Sequence, residues 1–293
     1  MEDKTTRTFI PLDTEYICEH KRGKICVYRD IQLHNHDGYE IILFLSGKTA
    51  FYNEMDGKTL KRGDIILVSP YAYHGVVLED VAHYERVVIN FTKNYLNKIG
   101  EDKAELKKIF YQDVAGKINY LHVCEDQIQE FLVLVHKTRK ACEEKRTGSN
   151  ILCLAYFMEL LVLLMRCADK REVYEHENIM PEIVSKTFSY IEEHVQEDIS
   201  VDMLARHLHH NSDYLSRCFH RVAGISLQQF IIAKKMTLAQ KFLSEGKLPS
   251  DTCYAVGYHN YSNFSRTFSK YIGMSPKQYQ IRNQHIEIME RNT

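Results

Sequence analysis

The sequence predicts an α+β chain of two domains, an N-terminal β-barrel with trailing helices and a C-terminal all-α domain. Three observations lead there. Residues 24–91 alternate short β-rich runs with turn residues, the hydrophobic period then becomes helical, and the last third is basic and internally repeated. The length of 293 residues suits two domains better than one. With 44% hydrophobic and 26% charged residues, the chain is neither disordered nor fibrous.

The first strands are expected at Ile25–Tyr28, Glu40–Leu45, Thr49–Tyr52, Ile65–Val68, Gly75–Leu78 and Arg86–Phe91. Ser46-Gly47, Asp56-Gly57 and Lys61-Arg62-Gly63-Asp64 supply turns, and Asp56-Gly57 is a hairpin signal. Many short strands at near-regular spacing suggest a sandwich or small barrel.

After Phe91 the pattern predicts helices over Glu101–Gln112, Glu125–Lys145 and Asn150–Ala168. The third is apolar nearly all round, so more than one face must be buried, within the chain or against a second copy. Its apolar run from Ile151 to Met165 is interrupted by Glu159 and is short for a membrane span of ~20 residues. The charged, weakly periodic stretch 169–180 reads as a linker. It divides a first domain of residues 1–168 from a second of residues 181–293, whose first helix begins at Pro181. The start, MEDKTTRTF, lacks an apolar signal region, and the eight cysteines show no paired spacing, so reduced thiols in a cytoplasmic protein are expected.

The formal net charge of −1 hides a split. From Ile199 to His285 eleven Lys/Arg face four acids, a segment charge of +7, whereas residues 1–198 carry −7. That asymmetry points to a basic binding module joined to an acidic domain. Within the basic segment the chain repeats itself at an offset of 49. Tyr214-Leu215-Ser216-Arg217-Cys218-Phe219 recurs as Asn263-Phe264-Ser265-Arg266-Thr267-Phe268, and Gly224-Ile225-Ser226 recurs as Gly273-Met274-Ser275. Each unit reads as helix, tight turn, helix. Ser200 caps the first helix, His209-His210-Asn211 make the turn, and Ser212 opens the second helix. Leu215, Phe219 and Val222 share one face of that helix, opposite Asp213, Arg217 and His220. Ordinary hairpins with solvated arginines would explain one copy. Two copies with Arg at the same register favour major-groove reading, where a guanidinium bonds two acceptors on guanine.

Residues Pro181 to Arg282 resemble the DNA-binding domain of AraC/XylS-type transcription regulators through these repeated cores, Ala255-Val256-Gly257-Tyr258 and Gly273-Met274-Ser275-Pro276-Lys277-Gln278-Tyr279. The resemblance implies two helix-turn-helix units joined by a long helix, here Leu227–Glu245, with recognition helices in successive major grooves. By position, Asp213, Ser216 and Arg217 of the first unit and Tyr261, Ser262, Ser265 and Arg266 of the second face bases; His220, Arg221 and Lys270 face phosphates. Asp213 has a second reading as a helix cap. Pro249 and Thr252-Cys253 depart from the family pattern and predict a shorter or weaker supporting helix in the second unit.

In the β-rich domain, His34-Asn35-His36, Glu40 and Gly47, with Gly63, Pro70 and His74 beyond, resemble the two motifs of the cupin fold. Three readings stay open. His34, His36, Tyr39, Glu40, Tyr71, Tyr73 and His74 form an effector pocket; or His34, His36, Glu40 and His74 hold a divalent metal; or the histidines are structural. No cofactor is otherwise expected, and the motifs of hydrolases, phosphate loops and zincins are missing from the sequence. The function expected is a cytoplasmic, effector-controlled transcription regulator. Its partners would be double-stranded DNA, a small molecule such as a sugar, a second copy through helices 125–168, and RNA polymerase if it activates; no membrane is expected. The alternative is a metal-dependent cupin enzyme with an appended DNA-binding module.

Overall fold

A computed structural model describes residues 8–10, 12, 14–23, 32–80, 82–99, 109–110, 118–144, 146–169 and 177–282. The expected strand Ile25–Tyr28 and nearly all of the expected helix at 101–112 lie outside the described residues. Strands β1 (Tyr16–Arg22), β2 (Tyr39–Ser46), β3 (Thr49–Asn53), β4 (Gly57–Thr59), β5 (Asp64–Val68), β6 (His74–Leu78), β7 (Glu85–Phe91) and β8 (Ile118–His122) form two sheets. The larger has order β1-β7-β2-β5-β8, the smaller β4-β3-β6, and all pairs are antiparallel. Residues 34 and 9 extend the smaller sheet through bridges His34↔His74 and Phe9↔Asn35.

β2 shows why the domain has two apolar cores. Side chains along a strand alternate between faces. Ile42 and Phe44 point between the sheets, where they meet Phe51, Ile66, Val68 and Val76. Tyr39, Ile41, Leu43 and Leu45 point the other way, against the helices α2 (Glu125–Glu144) and α3 (Ser149–Asp169). A strand buried on both faces reads as a continuous apolar run, which is how β2 and β5 appear. β1, β4 and β8 escaped the sequence reading. β1 and β8 lie at sheet edges and β4 is three residues long, so none needs a full apolar run. A short helix α1 (Lys93–Asn97) follows β7, capped by Thr92.

The α2–α3 hairpin brings Cys142 and Cys153 side by side, Cα–Cα 6.1 Å. The two lie 11 residues apart with no motif between them; only the antiparallel helices bring them together. The end of the stretch expected as a linker is docked. Ile179 N–H donates to Gly57 O at 2.9 Å, Gly57 N–H donates to Asn178 Oδ1 at 3.0 Å, and Met180 is buried in the helical domain.

The C-terminal domain comprises α4 (Glu182–His194), α5 (Val201–His207), α6 (Ser212–Ala223), α7 (Leu227–Ser244), α8 (Pro249–Ala255) and α9 (Tyr261–Ile272). Ser200 caps α5, Asn211 caps α6, Asn260 caps α9, and Ser226 with Gln229 forms a capping box on α7. The repeat is real in space: α5–α6 and α8–α9 are equivalent helix pairs. Pro249 does not shorten its helix. It occupies the first turn, where its missing N–H costs nothing, and α8 has seven residues like α5. The tight turns need left-handed backbone after both supporting helices. Gly257 supplies it at φ +74° in the second unit, and His209 adopts it at φ +56° in the first.

α7 is the core of this domain. Leu227, Phe230, Ile231 and Ala233 pack into the first unit, and Met236, Ala239 and Leu243 into the second. Between them buried Lys235 donates to Glu197 O at 2.6 Å and to Val256 O at 2.8 Å. One ammonium thus satisfies carbonyls beyond the ends of α4 and α8 together. Lys235→Met removes both bonds and leaves those carbonyls unsatisfied, an expected loss of about 2–3 kcal/mol in denaturant unfolding.

Candidate functional site

The exposed face of α6 carries Asp213, Arg217, His220 and Arg221, with Ser216 half-buried beside them. Its other face, Leu215, Phe219, Val222 and Ala223, is buried in the first unit's core. Ser216, Arg217, His220, Arg221 and Ser226 line one concavity on the surface. Asn211, not Asp213, is the cap: its side chain accepts from the Asp213 and Tyr214 amides at 2.8 and 3.4 Å. Asp213 sits exposed in the first turn, where the helix dipole favours its carboxylate. α9 repeats the arrangement. Tyr261, Ser262, Arg266 and Lys270 are exposed and Ser265 half-buried, over buried Phe264, Phe268 and Ile272. The Arg266 Nε–H lies 3.4 Å from Ser262 O on its own helix. A seven-residue supporting helix precedes each of α6 and α9, and Ser212 donates to Asp202 at 2.6 Å to lock the first pair.

The residues expected as an effector pocket are divided by the structure. His36, Glu40 and His74 converge inside the N-terminal domain, with their donor atoms all within 4.8 Å. The His74 and His36 Nε2 atoms lie 2.9 and 3.5 Å from Glu40 Oε2. Burial alone would raise Glu40, yet the two imidazoles hold its carboxyl well below the usual range. Burial would lower His36, and the adjacent carboxylate outweighs it and holds His36 above its ordinary value. His34 stands at the mouth, its ring centroid 4.4 Å from that of His74. Desolvation there pushes His34 down to about 3, so its ring is neutral. His34, Glu40 and His74 line a cavity of about 70 Å³ together with Lys21, Arg86 and Asn90.

The tyrosines belong elsewhere. Tyr39 follows strand alternation onto the face opposite Glu40 and stacks on Phe91, 5.2 Å between centroids. Tyr73 is buried against α7, its hydroxyl 3.0 Å from Thr237 Oγ1. Tyr71, at φ +65°, lines a second cavity of about 370 Å³ between the domains, with Glu192, Lys234, Thr237 and Lys241. The sequence reading missed this junction. Lys234 bridges Glu54 of the N-terminal domain at 2.8 Å and Glu192 of α4 at 2.5 Å. Asn35 donates to Thr237 at 3.1 Å, and Leu33 N–H donates to Ala223 O at the end of α6, 2.8 Å. The one sequence signal was Lys234-Lys235 between the apolar Ile231-Ile232-Ala233 and Met236, counted only as basic charge.

Comparison with known proteins covers both domains. Residues 28–161 match the AraC-like ligand binding domain, and residues 204–282 match a helix-turn-helix domain family. The melibiose operon regulatory protein of Escherichia coli K12 is 32% identical over 97 residues, 33% of this chain and 32% of that protein. The multiple antibiotic resistance protein MarA of Salmonella typhimurium is 27% identical over 105 residues, 36% of this chain and 83% of MarA. The chain thus spans about a third of the length of the melibiose regulator it matches. Among solved structures, the C-terminal domain of AraT from Geobacillus stearothermophilus is 30% identical over 36% of this chain and 88% of its own, with a TM-score of 0.35. ToxT from Vibrio cholerae is 11% identical, covers 92% of this chain and 98% of its own, and has a TM-score of 0.35. With the ligand-binding domain and the helix-turn-helix domain in one chain and in this order, the protein belongs to the AraC/XylS family of transcription regulators.

Proposed function

We propose that the protein binds double-stranded DNA through both helix-turn-helix units and regulates transcription under the control of a small molecule held by the N-terminal domain. The observation that carries this reading is the pair α6 and α9, two capped helices with Arg217 and Arg266 exposed at the same register in the +7 segment. Asp213, Ser216, Arg217, Tyr261, Ser262, Ser265 and Arg266 face bases, and His220, Arg221 and Lys270 hold phosphates. The relatives matched are regulators, which favours this over the enzyme reading. The 370 Å³ cavity falls in the ~300–1,000 Å³ range of small-molecule sites, and the 70 Å³ cavity falls below it. The larger cavity is therefore the effector's place, bridging Tyr71 and α7. The melibiose regulator's name makes sugars the first class to screen. A ligand there acts by favouring one placement of the domains over another.

Two copies meet through α3. Ile151, Ala155, Met158 and Val162 are exposed on one stripe at spacings of four, three and four, the seam of a coiled coil. The regulator works in the cytoplasm, and an activating role would add contact with RNA polymerase.

Selection of bound duplexes from random DNA should return two half-sites about one helical turn apart. Against that sequence Arg217→Ala and Arg266→Ala should each cost ~1–3 kcal/mol and relax preference at one base pair. Equal loss on every sequence would remove their base-reading role. Arg221→Ala and Lys270→Ala should weaken binding to all duplexes and each reduce the salt slope by about 1. Met158→Glu should convert a dimer to monomers in sedimentation, and an unchanged mass would move the interface elsewhere.

A further inference from the structure

The turn joining α2 to α3 holds two thiols together. Arg146 N–H donates to Ser149 Oγ at 2.9 Å, Ser149 N–H donates to Arg146 O at 3.0 Å, and Gly148 takes φ +85°. That turn sends α3 back along α2. It sets Cys142, in the last turn of α2, beside Cys153, near the start of α3. Their Cα atoms are 6.1 Å apart, inside the ~4.4–6.8 Å span that a disulfide bridges. Cys153 is buried, and its Sγ lies 3.8 Å from Thr138 O, one helical turn before Cys142. Cys142 is exposed. One thiol is thus open to a reagent, and the other lies behind it against the same part of α2. Cys18, Cys124, Cys167, Cys218 and Cys253 stand as single thiols.

We propose that Cys142 and Cys153 are a reversible dithiol–disulfide site, oxidised by a low-molecular-weight disulfide such as oxidised glutathione. The Cys142 thiolate, its proton given up, attacks one sulfur of that disulfide. The S–S bond breaks, and one small thiolate leaves and takes up a proton. The Cys153 thiolate then attacks the Cys142 sulfur of the mixed disulfide, and the second small thiolate leaves in the same way. Two protein thiols are oxidised, and one small disulfide is reduced to two thiols. Because the Cys142 sulfur is exposed, the bond stays open to the reverse reaction, as in labile, regulatory disulfides. The bond pins the first turns of α3 to the end of α2. The exposed stripe Ile151, Ala155, Met158 and Val162 begins two residues before Cys153. Oxidation therefore fixes one end of the face assigned to self-association. That consequence rests on the self-association reading; the thiol chemistry does not.

The full chain is reduced, freed of reductant, equilibrated with oxidised glutathione, quenched by alkylation and digested for mass spectrometry. A peptide pair linked through Cys142 and Cys153 is expected in most molecules, with recovery of both thiols on adding dithiothreitol. Cys124→Ser, at an exposed single thiol, should leave that pair unchanged. The proposal is overturned if no linked pair forms, if glutathione stays on Cys142 as a mixed disulfide, or if Cys142 links to another cysteine. Loss of the pair in Cys124→Ser also overturns it. Sedimentation of reduced and oxidised protein then tests the consequence. The dissociation constant of the dimer should change by about 5-fold or more. Cys142→Ser exposed to oxidised glutathione should keep the reduced value. An unchanged constant in the wild type refutes the coupling while the thiol site stands. A chain that stays monomeric in both states refutes the self-association reading, and the coupling falls with it.

Discussion

The arrangement depends on the burial of α7 between the cores of the two helix-turn-helix units. Eighteen residues at 1.5 Å each make a rod of roughly 27 Å. Its N-terminal half completes the core of one helix-turn-helix unit and its C-terminal half that of the other. Such a helix cannot turn about its axis without opening both cores. It therefore acts as a rigid spacer, and the separation of α6 and α9 follows from its length. Lys235 marks the cost of burying the helix so thoroughly, because a charge at its centre is admitted only with carbonyls from both sides to receive it.

The same helix gives the N-terminal domain its hold on the two helix-turn-helix units. Lys234 and Thr237 lie on the side of α7 that meets Glu54, Asn35 and Tyr73. Lys234 has two carboxylates within 2.8 Å, one from each domain, so moving the domains apart would strand one of three charges. The 370 Å³ cavity lies beside this ion pair, and a ligand there must touch both the N-terminal domain and the spacer.

Much of the C-terminal candidate site was legible because it is local. The Arg217 and Arg266 registers, the cap at Ser200, and the buried faces of α6 and α9 follow from helical period and turn chemistry within a few residues. Pro249 was expected to shorten or weaken its helix because Pro is tolerated only in the first turn, and the first turn is where it lies. In the N-terminal domain the histidines and Glu40 were found, but Tyr39 was grouped with them by closeness in sequence. Adjacent residues on a strand face opposite ways, so Tyr39 and Glu40 could not share a cavity, and that rule was available from the sequence.

By itself the sequence determined two domains, their order, the repeat and the exposed faces of α6 and α9. These depend on periodicity and charge, which are properties of short windows. The tertiary structure decided which side chains become neighbours across long loops. Leu33 meets Ala223, Glu54 meets Lys234, Cys142 meets Cys153, and His74 closes on Glu40. Of these pairs only His74 with Glu40 was foreshadowed in the sequence, through the motif resemblance. Each exists because apolar faces fixed by alternation had to be buried against one another, and the polar groups between them were then obliged to find partners.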